Sequence, residues 1–191
     1  MQEESTNIKS WQALYDLASG QQGYFGAWQA AKLGCSPQLL LHHARAGNIH
    51  KATRGIYRLV DYPDTDHEEL VVIWLWSKKE AVFSHQTALA LHELSDALPS
   101  RIHVTLPSSW SQRRVKMPTK VAPHYGGVSG ADRVWFGPLP VTSPVRTVVD
   151  CAQSGLAPDL IRQAIDEGRA RGLFDETMLA ETLSLLNMKA T

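Results

Sequence analysis

The chain has 191 residues, of which 43% are hydrophobic and 20% charged, a length that fits one mid-sized domain or a small domain joined to a larger one. Nineteen basic residues balance nineteen acidic ones, so net charge alone selects no class of partner. The polar opening MQEESTNIKSWQ lacks the apolar run of a signal peptide, and the longest apolar stretch, Leu70–Trp76, is too short to cross a bilayer. These features predict a cytoplasmic protein with no membrane partner. Cys35 and Cys151 lie in no metal or redox spacing and read as buried thiols of a reducing compartment.

Ile8, Trp11, Leu14, Tyr15 and Ala18 recur at helical spacing and predict a helix over about 8–19, closed by Gly20. A second helical element is expected from Phe25 through Trp28, Ala31 and Lys32 to Gly34. Ser36-Pro37 then opens a third helix, because a Ser hydroxyl accepts from a free backbone N–H and Pro at the first position has no N–H to leave unpaired. Its inner stripe would be Leu40, His43 and Ala44, with Gln38, Leu41, His42 and Arg45 facing outward and Gly47 as the stop. Ile49–Ala52 and Ile56–Leu59 alternate as two strands joined around Thr53-Arg54-Gly55, from which Lys51 and Arg54 project while Arg58 faces the body.

Helix, turn, helix and basic hairpin, in that order, is the layout of a winged helix-turn-helix, which sets one helix in a DNA major groove. The outward residues suit that role. Gln pairs with adenine, Arg with guanine, and Leu meets a thymine methyl. Ser36 sits at a positive helix end that favours phosphate, and Arg54 at the hairpin tip suits a narrow minor groove. Positive charge is concentrated accordingly, with six Lys/Arg against three Asp/Glu over 1–60 and seven against two over 101–150. Double-stranded DNA is therefore the expected partner. A winged helix that binds another protein through the same face is the alternative.

The polar joint Tyr62–Asp66 divides the chain into a DNA-binding domain, 1–60, and a C-terminal domain, 67–191. An apolar helix over His67–Trp76 carries two core tryptophans, and Asp64, Asp66, Glu68 and Glu69 read as solvating acids. Ser84 is placed as the cap of a helix through His92. Ile102–Leu106 and Val121–Tyr125 are expected strands. The basic segment between them, with Arg113, Arg114, Lys116 and Lys120, either extends a phosphate contact or forms a solvated loop. Short strands at Val134–Phe136 and Leu139–Val141 flank a Gly-Pro corner. Ser143-Pro144 opens a helix through Ala152 on which Arg146 and Asp150 share a face, Pro158 opens another ending near Gly172, and Asp175 caps a last one to about Asn187. The fold class is α+β: a winged helix-turn-helix followed by a mixed α/β domain.

No catalytic, metal or cofactor constellation is legible. Phosphate-cradling and dinucleotide motifs are absent, and His85 and His92 lack a third ligand. A nuclease is the enzyme rival, but Asp150, Asp166 and Glu167 form no acid-x-Lys pattern.

The motif G-x-x-x-A-x-x-x-G-x-S within GAWQAAKLGCS, then L-x-x-x-x-R-x-G and R-G-x-Y-R, resembles the N-terminal domain of AbiEi-type antitoxins. SHQTALALHELSD (Ser84–Asp96), IHVTLP (Ile102–Pro107) and VTSPVRTVVDCA (Val141–Ala152) continue the likeness in order. The resemblance implies a type IV antitoxin whose winged helix represses its own operon and whose C-terminal domain counters a nucleotidyltransferase-like toxin. It equally implies a stand-alone transcriptional regulator, since the family holds both.

Overall fold

The computed structural model describes residues 2–174, together with Thr177 and Ala180. Apart from Thr177 and Ala180, the helix expected from Asp175 to Asn187 lies outside the described residues. Compact units divide at Lys79/Glu80, as Met1–Lys79 and Glu80–Thr191, and each contains helices and its own sheet. Among the described residues no helix is long and apolar enough to cross a membrane.

The first unit runs α1 (Gln2–Ser19), β1 (Tyr24–Gly26), α2 (Ala27–Lys32), α3 (Pro37–Arg45), β2 (Ile49–Thr53), β3 (Ile56–Leu59) and α4 (Glu68–Trp76). Its antiparallel sheet has the order β1-β3-β2. Leu14 and Ala18 of α1, Ala30 of α2 and Leu40 of α3 close over Phe25, Ile49 and Leu59 of the three strands. Such removal of apolar surface from water stabilises the unit by about 25 cal/mol per Å².

Phe25 is not the start of a helix. It lies in β1, paired with Tyr57, and the helix begins only at Ala27. The ladder offers Phe25 a fully buried place in the core, which outweighs the local helical pattern. Compactness also continues beyond the joint at 62–66, because α4 packs on β1 and β3 within the first unit. Arg58 shows why. It is buried, and its Nη2 donates to Tyr62 O (3.0 Å), Asp64 Oδ1 (2.6 Å) and Glu68 Oε1 (3.0 Å), tying β3 to the joint and to α4. Asp64 and Glu68 are thus ion-pair partners rather than mere solvating acids.

The second unit contains β4 (Val82–Phe83), α5 (His85–Leu91), β5 (Ile102–Leu106), a 3-10 turn (Ser108–Gln112), β6 (Val121–Tyr125), β7 (Arg133–Phe136), β8 (Leu139–Thr142), α6 (Pro144–Gln153) and α7 (Pro158–Ala170). The sheet order is β6-β5-β4-β8-β7. β4–β8 and β5–β6 are parallel, whereas β4–β5 and β7–β8 are antiparallel. Helices α5, α6 and α7 enclose a second core of Leu89, Leu94, Val148, Cys151, Ile161, Ala164, Ile165 and Phe174. Strand β4 has two residues and no readable period, yet it sits at the centre of the sheet because both flanking strands pair with it.

Ser143 caps α6 as expected, accepting from Arg146 N–H at 3.4 Å. Ser84 holds the N-cap position of α5 as expected, but its side chain makes no capping hydrogen bond. Its hydroxyl is fully buried and engaged instead by His85 Nδ1 and Thr105 Oγ1, each at 2.9 Å.

Candidate nucleic-acid interface

Helix α3 forms as its sequence dictates. Ser36 Oγ accepts from Leu39 N–H at 3.1 Å, Pro37 occupies the first turn, and Leu40 is buried against the first core. Gln38, Leu41, His42 and Arg45 are all exposed, Leu41 at 50%, which is a high value for a leucine. His43 turns inward to stack on Trp11 of α1, with ring centroids 3.5 Å apart and an interplanar angle of 10°. Its Nδ1 lies 3.0 Å from Asn48 Nδ2, just ahead of β2. Burial, and next the neighbouring His42, push the His43 imidazole below its ordinary pKa, in keeping with a neutral ring held in the fold.

The hairpin that follows has one buried and one exposed strand. β3 contributes buried Ile56, Arg58 and Leu59, whereas His50, Lys51, Ala52 and Thr53 of β2 are exposed. Gly55 takes the turn at φ +76°, a conformation that suits glycine. Its carbonyl accepts from Ala27 N–H at 2.8 Å, anchoring the hairpin turn to the first residue of α2. Exposed Arg54 adjoins this anchored glycine. Among the described residues, Arg45, Lys51 and Arg54 have no ion-pair partner. One small unit therefore carries a capped helix and a braced hairpin with three unpaired cationic side chains.

Of the basic residues expected further on, Arg113, Arg114 and Lys116 lie in an exposed stretch after the 3-10 turn. Arg113 is engaged within its own unit, 3.7 Å from Glu80 and with its guanidinium 4.8 Å from the Trp110 ring centroid. Asp150 Oδ1 accepts from Arg146 Nε at 2.8 Å, the four-apart pairing that the spacing predicts, while Asp166 and Glu167 are exposed on α7. Asp132 Oδ2 adds a second carboxylate 3.4 Å from Arg146 Nη1. Together these carboxylates raise the Arg146 pKa, with the Asp150 hydrogen bond the largest cause.

Sequence reasoning missed one polar assembly, in which His85, His103 and His124 stack beside Ser84 and Thr105. These residues come from α5, β5 and β6, so no sequence spacing announces them. The only readable hints were the adjacent Ser84-His85 and the alternation that puts His103 and Thr105 on one side of β5. No group of three or more His, Cys, Asp or Glu among the described residues could hold a metal ion.

Residues 12–60, from α1 to just past β3, match a known family model. The family is described as transcriptional regulator, AbiEi antitoxin. The AbiEi match contains the whole of α2, α3 and the β2–β3 hairpin, and so all of the exposed residues named above from Ser36 to Arg54. No curated protein matches the chain. The fold is similar to the crystal structure of the RV2827C protein from Mycobacterium tuberculosis, with a TM-score of 0.53 and 15% identity over 93% of this chain and 71% of that one. At that identity the likeness concerns the fold alone.

Proposed function

We propose that the chain is a sequence-specific DNA-binding transcriptional repressor, and that the AbiEi-matched segment is its winged helix-turn-helix. The carrying observation is α3, whose Gln38, Leu41, His42 and Arg45 are exposed together on a helix capped by Ser36. Those side chains suit base edges, and the free helix end at Ser36 suits a phosphate. Lys51 and Arg54 add cationic support from the hairpin, where a tip arginine fits a minor groove. Arg114 and Lys116, with Arg113 more weakly, supply supplementary phosphate contacts.

The family description supports the further reading that the repressor is an antitoxin, which autoregulates its operon and counters a nucleotidyltransferase-like toxin through the second unit. A stand-alone regulator would use the same DNA interface. The deciding experiment is footprinting of the purified chain on the DNA upstream of its own reading frame. A discrete, salt-sensitive footprint is expected, and its absence would refute operator binding. Co-expression with a nucleotidyltransferase encoded beside it separates the two regulator readings, since only an antitoxin restores growth.

A further inference from the structure

Three imidazoles that stand 18 and 21 positions apart in the chain meet where α5 begins beside β5 and β6. The His85 ring lies on that of His124 with centroids 3.4 Å apart and planes at 12°, and His103 is centred 5.2 Å from His124 and 5.9 Å from His85. His85 opens α5 at φ +52°, a left-handed conformation that β-carbon sterics disfavour, so tertiary contacts must hold it there.

The contacts limit how many of the rings can be charged. Thr105 Oγ1 donates to Ser84 Oγ at 2.9 Å, and the same hydroxyl, which can donate or accept once more, lies 2.9 Å from His85 Nδ1. That bond tolerates either state of His85, but the His85 ring lies on His124 at 3.4 Å between centroids, so a proton on each would set two like charges face to face in a buried stack. His103 Nδ1 and His124 Nε2 share one hydrogen across 3.0 Å, so one of these rings must be neutral.

The charged groups acting on the cluster offset little added charge. Arg146 opposes protonation of His85, and Arg101 opposes that of His103. Asp150 favours a proton on His124, but its Oδ1 is already bound by Arg146. Asp150 Oδ2 is buried without a hydrogen-bond partner among the described residues, so it can balance one proton and no more.

We propose that His85, His103 and His124 form an acid-operated latch, which when neutral holds the start of α5 on β5 and β6 and which opens once a second proton enters the stack. Burial pushes all three rings below their ordinary pKa, and for His85, where His124 and His103 add to the effect, to about 3. The sign follows from linkage. The unfolded chain takes up protons near 6.5 and the folded one resists to about 3, so the latch holds fully above pH 6.5 and is lost as pH falls through that window.

Hydrogen exchange on the full chain at pH 7.5 and pH 5, corrected for intrinsic amide exchange, tests this. Protection of α5, β5 and β6 is expected to fall by about tenfold per extra proton per pH unit, and by more than that of β1–β3, where the shifted His43 imidazole acts with the same sign. His124→Phe keeps a flat ring on His85 without a nitrogen to protonate, and should flatten that fall. His103→Gln, which removes a different titrating ring, should do so as well and serves as the comparison if His124→Phe does not fold. Unchanged protection in the wild-type chain would overturn the latch, as would an equal fall in every variant that folds.

Discussion

The imidazole of His43 lies flat on the indole of Trp11, 3.5 Å between centroids, and this stack joins the inner face of α3 to α1. It also explains how adjacent histidines take different roles, since His42 is exposed one position earlier on the same helix. His43→Ala should destabilise the first unit by about 1–2 kcal/mol, from lost aromatic stacking and packing. Urea denaturation followed by tryptophan fluorescence measures this. An unchanged midpoint would show that the stack contributes nothing to stability.

For DNA binding, Arg45→Ala and Arg54→Ala should behave differently. Arg45→Ala is expected to cost about 1–3 kcal/mol on the preferred sequence and little on random DNA, as for a base-reading side chain. Arg54→Ala should weaken binding to all sequences and reduce the salt slope by about 1. Fluorescence anisotropy across a salt series with specific and scrambled duplexes checks both. Wild-type affinity in both variants would place the interface elsewhere.

Ser36→Ala removes the acceptor for Leu39 N–H and should cost about 1 kcal/mol of stability. Ser36→Asp restores an acceptor and should recover stability while repelling a phosphate at that helix end, so melting temperature and DNA affinity separate. If Asp restored affinity as fully as stability, Ser36 would be a structural cap only.

The Arg58 assembly predicts pH sensitivity at both extremes. Burial raises the Tyr24 phenol, with Glu68 adding to the effect, from 10.0 to about 12, so stability from this group is present below pH 10 and lost as pH rises toward 12. Burial works against the Glu68 carboxylate, but bonds from Tyr24 and the Thr65 N–H, with Arg58, hold its pKa below 4.5. Its contribution is therefore present above pH 4.5 and lost on acidification below that. Glu68→Gln should weaken both dependences in melting curves. Arg58→Ala removes a buried stem and three hydrogen bonds but leaves its carboxylate partners within reach of water, and should cost about 1–2 kcal/mol. An Arg58→Ala chain as stable as wild type would mean that the assembly is dispensable.

The local grammar of this chain was enough to place α3 and the β2–β3 hairpin. A Ser-Pro cap, a helical stripe and a glycine turn act within a few residues, and the same short-range chemistry placed β5, α6 and the Arg146–Asp150 pair. The N-terminal motifs likewise sufficed for the AbiEi resemblance that the family match over residues 12–60 bears out. Tertiary structure decided what depends on partners far away in sequence. Phe25 became a strand residue because Tyr57 pairs with it, and β4 became central because β5 and β8 flank it. The Ser84 hydroxyl, at the N-cap position of α5, is engaged by Thr105 and His85 instead of the helix backbone, and three dispersed histidines became one stack. Periodicity and capping report forces that act along the backbone. Ladder pairing, buried hydrogen bonds and ring stacking act through space, and become determinate only when the chain has closed on itself.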